Sequence, residues 1–207
     1  MTTTPLRIAV AGATGYLGTH LVDEATARGH HVTSLSRSTG ADLTDRATAE
    51  KVVDDHDVVL VSLSPRGDME GRVRPAVAQL AELAADGETR LGVVGGAGSL
   101  YVAEGGPRLV DTPEFPDAYK AESLEMADVL DDLRANDTKL DWFYISPAAG
   151  FGGFAPGEKT GQFRLGGDVL LSDEKGESFI SGADLAIAIL DEVENRKHVN
   201  QRFTAAY

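Results

Sequence analysis

The residues best placed to do chemistry are the glycines of AGATGYLGTH, residues 11–20, where Gly12, Gly15 and Gly18 recur every third position behind an apolar run. This spacing suits a tight strand-to-helix turn in which backbone, rather than side chain, meets an anion. Glycine permits the turn and the close approach, and the free N–H groups and dipole of the following helix attract phosphate. The implied task is holding a dinucleotide pyrophosphate, with Gly12, Thr14, Gly15, Tyr16, Leu17 and Gly18 as the contacting residues. The pattern is GxxGxxG rather than the commoner GxGxxG, but it follows a predicted strand and opens a predicted helix, the context such a motif requires.

The choice of dinucleotide falls at the end of the second predicted strand. A site for NAD usually places a carboxylate there, about 20 residues beyond the glycines, to bond the ribose 2′-hydroxyl. Here the position holds Ser36, Arg37 and Ser38, with Asp42 and Leu43 just beyond. A guanidinium flanked by hydroxyls suits a 2′-phosphate, and no carboxylate repels it. The expected cofactor is NADP(H), with NAD(H) as second choice.

Further along, AGATGYLGTHLVDEATARGHHVTSLSR, VVGGAGSL, RLVDTPEFPDAYKAESLE, DWFYISPAAGF and TGQFRLGGDVLL together resemble the NADH-flavin reductase-like group of atypical short-chain dehydrogenases. The NmrA-like and biliverdin reductase B groups are similar at greater distance. The resemblance spans nearly the whole chain and implies a Rossmann fold, a bound nicotinamide dinucleotide and reduction of a flavin such as FMN or FAD. By likeness to a lysine that starts the corresponding helix in NmrA-like proteins, Lys120 is expected to hold ribose or substrate.

Several chemistries are disfavoured. Short-chain dehydrogenases normally use Tyr-x-x-x-Lys, but four residues beyond Tyr16, Tyr101, Tyr119 and Tyr144 stand His20, Gly105, Ser123 and Ala148, and Tyr207 is the last residue. Carbonyl reduction needs a placed proton source, whereas a flavin delocalises the incoming charge and can take its proton from solvent. The histidines show no metal-ligand spacing and Ser99 lies outside any GxSxG elbow, so no metal site is expected. Candidates for the reacting end are Ser99, Tyr119 and Lys120 for chemistry. For the nicotinamide ribose they are Ser62, Leu63 and Ser64, Gly95, Gly96 and Ala97, Lys120, and Ser146, Pro147 and Ala148. Residues 104–117 form a loop long enough to act as a lid, and Tyr101, Phe115 and Phe151 could give it an aromatic wall for a planar acceptor. The alternatives are an NADP(H)-binding redox sensor without turnover and a sugar-nucleotide epimerase or dehydratase, the last weakened by the absent tyrosine–lysine pair.

These residues need elements to position them. Short apolar runs at 6–11, 31–36, 57–64, 90–96 and 141–146 alternate with helical patterns at 15–29, 44–55, 69–86 and 118–135, the third with Pro75 near its start. Residues 41–43 are at most a short strand. Strands with no polar face, separated by helices, predict a single doubly wound, mostly parallel α/β domain over 1–207. The last third departs from this rhythm: FRLGGDVLL reads as a hairpin about Gly166 and Gly167, Ser181 caps a helix to Glu194, and RFTAAY closes as a strand.

Composition narrows the partners. Thirty-three acidic against 19 basic residues give a net charge of −14, which disfavours nucleic acid and anionic membranes. No apolar stretch is long enough to span a bilayer, no secretory signal is evident, and cysteine is absent. A cytoplasmic monomer or homodimer acting on a small planar molecule is the expectation.

Overall fold

The computed structural model describes residues 4–36, 39–85 and 88–207. Seven strands form one sheet: β1 (Arg7–Ala11), β2 (His31–Leu35), β3 (Val58–Val61), β4 (Arg90–Val94), β5 (Trp142–Pro147), β6 (Arg164–Gly166) and β7 (Gln201–Ala206). Their order is β2-β1-β3-β4-β5-β7-β6, parallel except where β6 meets β7. Every residue of β3, β4 and β5 is buried, which is why these strands read as unbroken apolar runs. The helices are α1 (Tyr16–Ala27), α2 (Arg46–Asp55), α3 (Val73–Ala84), α4 (Lys120–Ala135) and α5 (Gly182–Asn195). One face of the sheet packs on α2, α3 and α4 through residues such as Val52, Leu80 and Leu130; the other packs on α1 and α5 through Leu21, Leu185 and Ile189. This is a Rossmann-type arrangement. From β1 the chain moves outward to β2 and then returns to β3 on the other side, so a crevice opens at the carboxyl ends of β1 and β3.

Two expectations are corrected. Residues 41–43 form no strand; Asp42 accepts hydrogen bonds from the backbone and side chain of Thr44, folding the segment into a turn. FRLGGDVLL is not a hairpin, because each flank finds another partner. Leu165 pairs with Ala205 of β7, and the segment after Gly167 pairs with Tyr101, whose N–H donates to Asp168 and whose carbonyl accepts from Leu170. Pro75 sits in the first turn of α3, where a missing N–H costs least. No helix among the described residues is long and apolar enough to cross a membrane.

The helix starts differ in a way that matters for the site. Asp45 caps α2 and Ser181 caps α5, accepting from Thr48 N–H at 2.9 Å and Asp184 N–H at 3.1 Å. At α3 the carboxylate of Glu125, reaching over from α4, accepts from the backbone of Gly71, Val73 and Arg74. The start of α1 has no side-chain cap and no acid in its first turn.

Asp184 ties α5 to the C-terminal segment. Its carboxylate accepts from the Tyr207 hydroxyl at 2.6 Å, the Thr160 hydroxyl at 2.7 Å and the Gly161 N–H at 2.8 Å. Burial acts to raise its pKa, but these bonds outweigh burial and hold it below the usual aspartate range. A depressed folded-state pKa contributes stability above the unfolded value of about 3.9 and loses it as pH falls from there through the folded pKa. Asp184→Asn should therefore cost about 2 kcal/mol at neutral pH, with the difference from wild type shrinking below about pH 4. Urea unfolding as a function of pH checks this; a pH-independent difference would contradict it.

Candidate functional site

The glycine turn divides its labour unequally. Gly12 adopts φ +80°, and a Cβ there would lie 2.2 Å from the Ser62 carbonyl oxygen at the end of β3. At Gly18 a Cβ would lie 2.0 Å from the Gly12 carbonyl oxygen, so α1 can pack onto the turn only without a side chain. Gly15 is different: its backbone is extended, and only the Gly12 carbonyl oxygen, at 3.2 Å, comes near a Cβ. Gly12 and Gly18 build the turn, while Gly15 keeps its surface open. The Gly15 N–H closes the turn onto the Gly12 carbonyl, and the next N–H groups, which have no carbonyl a turn earlier in α1, begin at this surface, an arrangement that fits a pyrophosphate.

That surface is one end of a cleft of about 950 Å³ over the carboxyl ends of the central strands. Of the residues expected to contact the dinucleotide, Gly12, Thr14, Gly15, Tyr16 and Leu17 line it, as do Ser36, Asp42 and Leu43 at one end. Ser62, Leu63 and Ser64, Gly95, Gly96 and Ala97, and Pro147 and Ala148 line it too. Gly18 lies buried beneath the turn. Ser146 is also buried, its hydroxyl without a partner among the described residues beside its register neighbour Thr204. Arg37 and Ser38 lie outside the described residues.

The expected reacting groups are not brought together. Tyr119 lines the cleft, but Lys120 opens α4 exposed and outside the lining. Ser99 is buried, and its Oγ accepts from Arg202 at 3.0 Å. That bond anchors the loop after β4 to β7, and Ser99 is not among the residues that line the cleft. Beneath the cleft floor lies Tyr144, whose hydroxyl would collide with a Cβ on Gly95 at 1.8 Å. Burial pushes that hydroxyl's pKa up, and it donates to the Met126 carbonyl at 2.9 Å. Tyr144 is thus a packed support rather than a proton source. Among the described residues no cluster of three or more acidic or histidine side chains could hold a metal. His56 bonds the Val52 carbonyl and the Thr33 hydroxyl, and His198 bonds Glu192, so both serve structure.

The far end of the cleft is walled by two segments. Leu109, Thr112, Glu114, Phe115 and Pro116 come from the loop before α4, and Phe151 to Phe154 from the loop after β5. Tyr101 does not join this wall, because its backbone is occupied in bridges to Arg108 and Val169. Tyr16 holds the second wall in place: its hydroxyl donates to the Pro156 carbonyl at 2.9 Å and accepts from Gly182 N–H at 3.0 Å, and its ring lies 5.5 Å from that of Phe151. Tyr16→Phe removes both bonds and should cost about 1 to 2 kcal/mol, read by chemical denaturation, with wild-type stability as the contrary result.

Four charged residues of the cleft were not named from sequence: Arg66, Arg72, Glu122 and, within the 104–117 loop, Glu114. Arg72 reaches Thr44 Oγ1 at 2.9 Å and Asp42 at 3.3 Å near Ser36. Arg66 pairs with Glu122, and its guanidinium stands 5.4 Å from the centre of the Tyr119 ring. Arg66 follows the Ser62–Pro65 loop directly, so its position was readable. Its pairing was not, since 56 residues separate it from Glu122.

Comparison with known proteins bears on this arrangement. The model of the NAD(P)H-binding family matches residues 38–196. The uncharacterised protein YwnB of Bacillus subtilis is 38% identical over 96% of this chain and 97% of its own. Protein SP1627 of Streptococcus pneumoniae, provisionally named an NADH-flavin reductase, superposes with a TM-score of 0.87 at 36% identity, covering 97% of this chain and 99% of that one. A Bacteroides thetaiotaomicron protein provisionally named an epimerase gives 0.88 at 31% identity over 99% and 98%.

Proposed function

We propose, starting from the fact that the chain belongs to the NAD(P)H-binding family, that it is an NADPH-preferring oxidoreductase passing hydride to a flavin or similar planar acceptor. The observation that carries this reading is the continuity of the cleft. It runs from an uncapped helix start and an open Gly15 to an aromatic-walled end with room for a second ring system. The name given to the Streptococcus pneumoniae relative points the same way.

When bound, the reduced dinucleotide supplies the hydride. The chain's own residues bind and align. Backbone amides at the start of α1 hold the pyrophosphate, and Ser36, Asp42, Leu43 and Arg72 surround the adenosine end, with Arg37 meeting the 2′-phosphate. The loops Ser62–Pro65 and Gly95–Ala97 offer small residues against which the nicotinamide ribose can lie. Phe115, Tyr119, Phe151 and Phe154 line the acceptor end and offer aromatic faces against which a planar acceptor would align. No Tyr-x-x-x-Lys pair is present, so the proton for the reduced acceptor comes from solvent. That absence disfavours an epimerase, which must move protons at a sugar carbon or hydroxyl.

Purified protein should oxidise NADPH when a flavin, quinone or biliverdin is added, with kcat/KM for NADPH above that for NADH. No acceptor-dependent oxidation across these compounds, combined with tight NADPH binding, would instead favour a redox sensor.

A further inference from the structure

We infer that the acceptor end of the cleft selects planar molecules without phosphate, riboflavin rather than FMN or FAD, and that Glu122 is the specificity-determining residue. This rests on the reductase reading for its choice of ligand, but its basis is the distribution of charge. The charged side chains lining the described cleft are Asp42, Arg66, Arg72, Glu114 and Glu122. Arg72 is engaged with Asp42 and Thr44 beside Ser36, at the adenosine end. At the aromatic end the sole lining cation among the described residues is Arg66, and it is taken: Glu122 receives both its Nε and an Nη, while Tyr119 underlies its plane. The Glu122 side chain is 18% exposed and that of Arg66 63%, so the carboxylate is held against the wall and draws the guanidinium onto it from the surface. Glu114 adds a carboxylate for which no ion-pair or hydrogen-bond partner is found among the described residues. The acceptor end thus carries a surplus negative charge on a chain whose net charge is already −14.

A phosphate monoester with close to two negative charges at neutral pH finds, among the described lining residues of this end, no cation that is not already paired, and it meets the uncompensated carboxylate of Glu114. An uncharged ribityl chain carries no charge for these carboxylates to repel, and its hydroxyls can donate to them or bond Thr112 and Ser123 in the same wall. FMN would bind well only if Arg66 left Glu122, which would strand a half-buried carboxylate.

The test titrates riboflavin and FMN separately into the NADP⁺-loaded protein, following flavin fluorescence, at low and high salt. Riboflavin should bind at least about tenfold more tightly at low salt, with the gap narrowing as salt screens the repulsion. Glu122→Gln, which frees Arg66, should move the riboflavin-to-FMN ratio toward FMN by about tenfold. Glu114→Gln, on an exposed loop, should move it the same way by less. FMN binding equal to or tighter than riboflavin in the wild type, a ratio unmoved in both variants, or no binding of either flavin would overturn the inference. Turnover is read separately. Selective riboflavin binding without NADPH oxidation sinks the reductase reading and leaves the charge selection standing.

Discussion

Gly12→Ala and Gly18→Ala are each expected to destabilise the protein by about 3 kcal/mol or more, whereas Gly15→Val should keep its fold and lose NADPH affinity about a hundredfold. The three glycines look equivalent in sequence, so opposite outcomes within one motif make a stringent test. At Gly12 a side chain must enter a left-handed conformation, costing about 1 to 2 kcal/mol, and must displace the Ser62 backbone 2.2 Å away. At Gly18 the obstacle is again backbone, the Gly12 carbonyl oxygen at 2.0 Å, and no rotamer relieves it. Overpacking of this kind distorts both the β1–α1 turn and the end of β3. At Gly15 the extended backbone accepts any L-residue, and the restricted unfolded chain offsets a small shift of the Gly12 carbonyl, leaving about 1 kcal/mol or less. The added methyls then occupy the surface that a pyrophosphate needs. Chemical denaturation and NADPH titration of the same three proteins check the pattern. A stable Gly18→Ala, or full affinity in Gly15→Val, would break the assignment of roles.

That contrast also shows what the sequence could and could not disclose. The turn, its helix and the strands behind it were legible because buried parallel strands leave long apolar runs and because glycine spacing reports backbone geometry directly. The cap at Ser181 was legible for a similar reason, as a local side chain-to-backbone bond needs no distant partner. Pairings set by distant chain were not. Gly166 and Gly167 have the chemistry of a hairpin, yet β7, almost forty residues on, competes successfully for Leu165. The cleft divides along the same line. Its floor residues end strands and could be located by counting, whereas Ser99 has the same local credentials and is claimed instead by Arg202, 103 residues away. The Arg66–Glu122 pair and the tie from Tyr16 to Pro156 and Gly182 depend on how α1, α4 and the C-terminal segment converge. No local pattern encodes that convergence.

Arg37→Glu is expected to weaken NADPH binding about a hundredfold or more while changing NADH binding less than about threefold. Two dinucleotides that differ only in the 2′-phosphate isolate one interaction, since every contact to the pyrophosphate, the bases and the nicotinamide is common to both. The substitution removes a guanidinium able to bond phosphate oxygens in pairs and puts in its place a carboxylate suited to a free 2′-hydroxyl. Close charge pairs near a protein surface interact by up to about 4 kcal/mol at an effective dielectric constant near 20, so reversing one comfortably covers two orders of magnitude. Arg72 supplies the control. It lines the cleft beside Asp42 and Thr44, which already engage it, and Asp42 itself is held below the usual aspartate range by its bonds to Thr44 and by Arg72. Its charge is therefore largely spent within the protein, and Arg72→Gln should reduce NADPH affinity by tenfold or less. If Arg37→Glu weakened both dinucleotides equally, the loss would lie in the shared contacts and the 2′-phosphate would have to be placed elsewhere. A larger effect at Arg72 than at Arg37 would place it there.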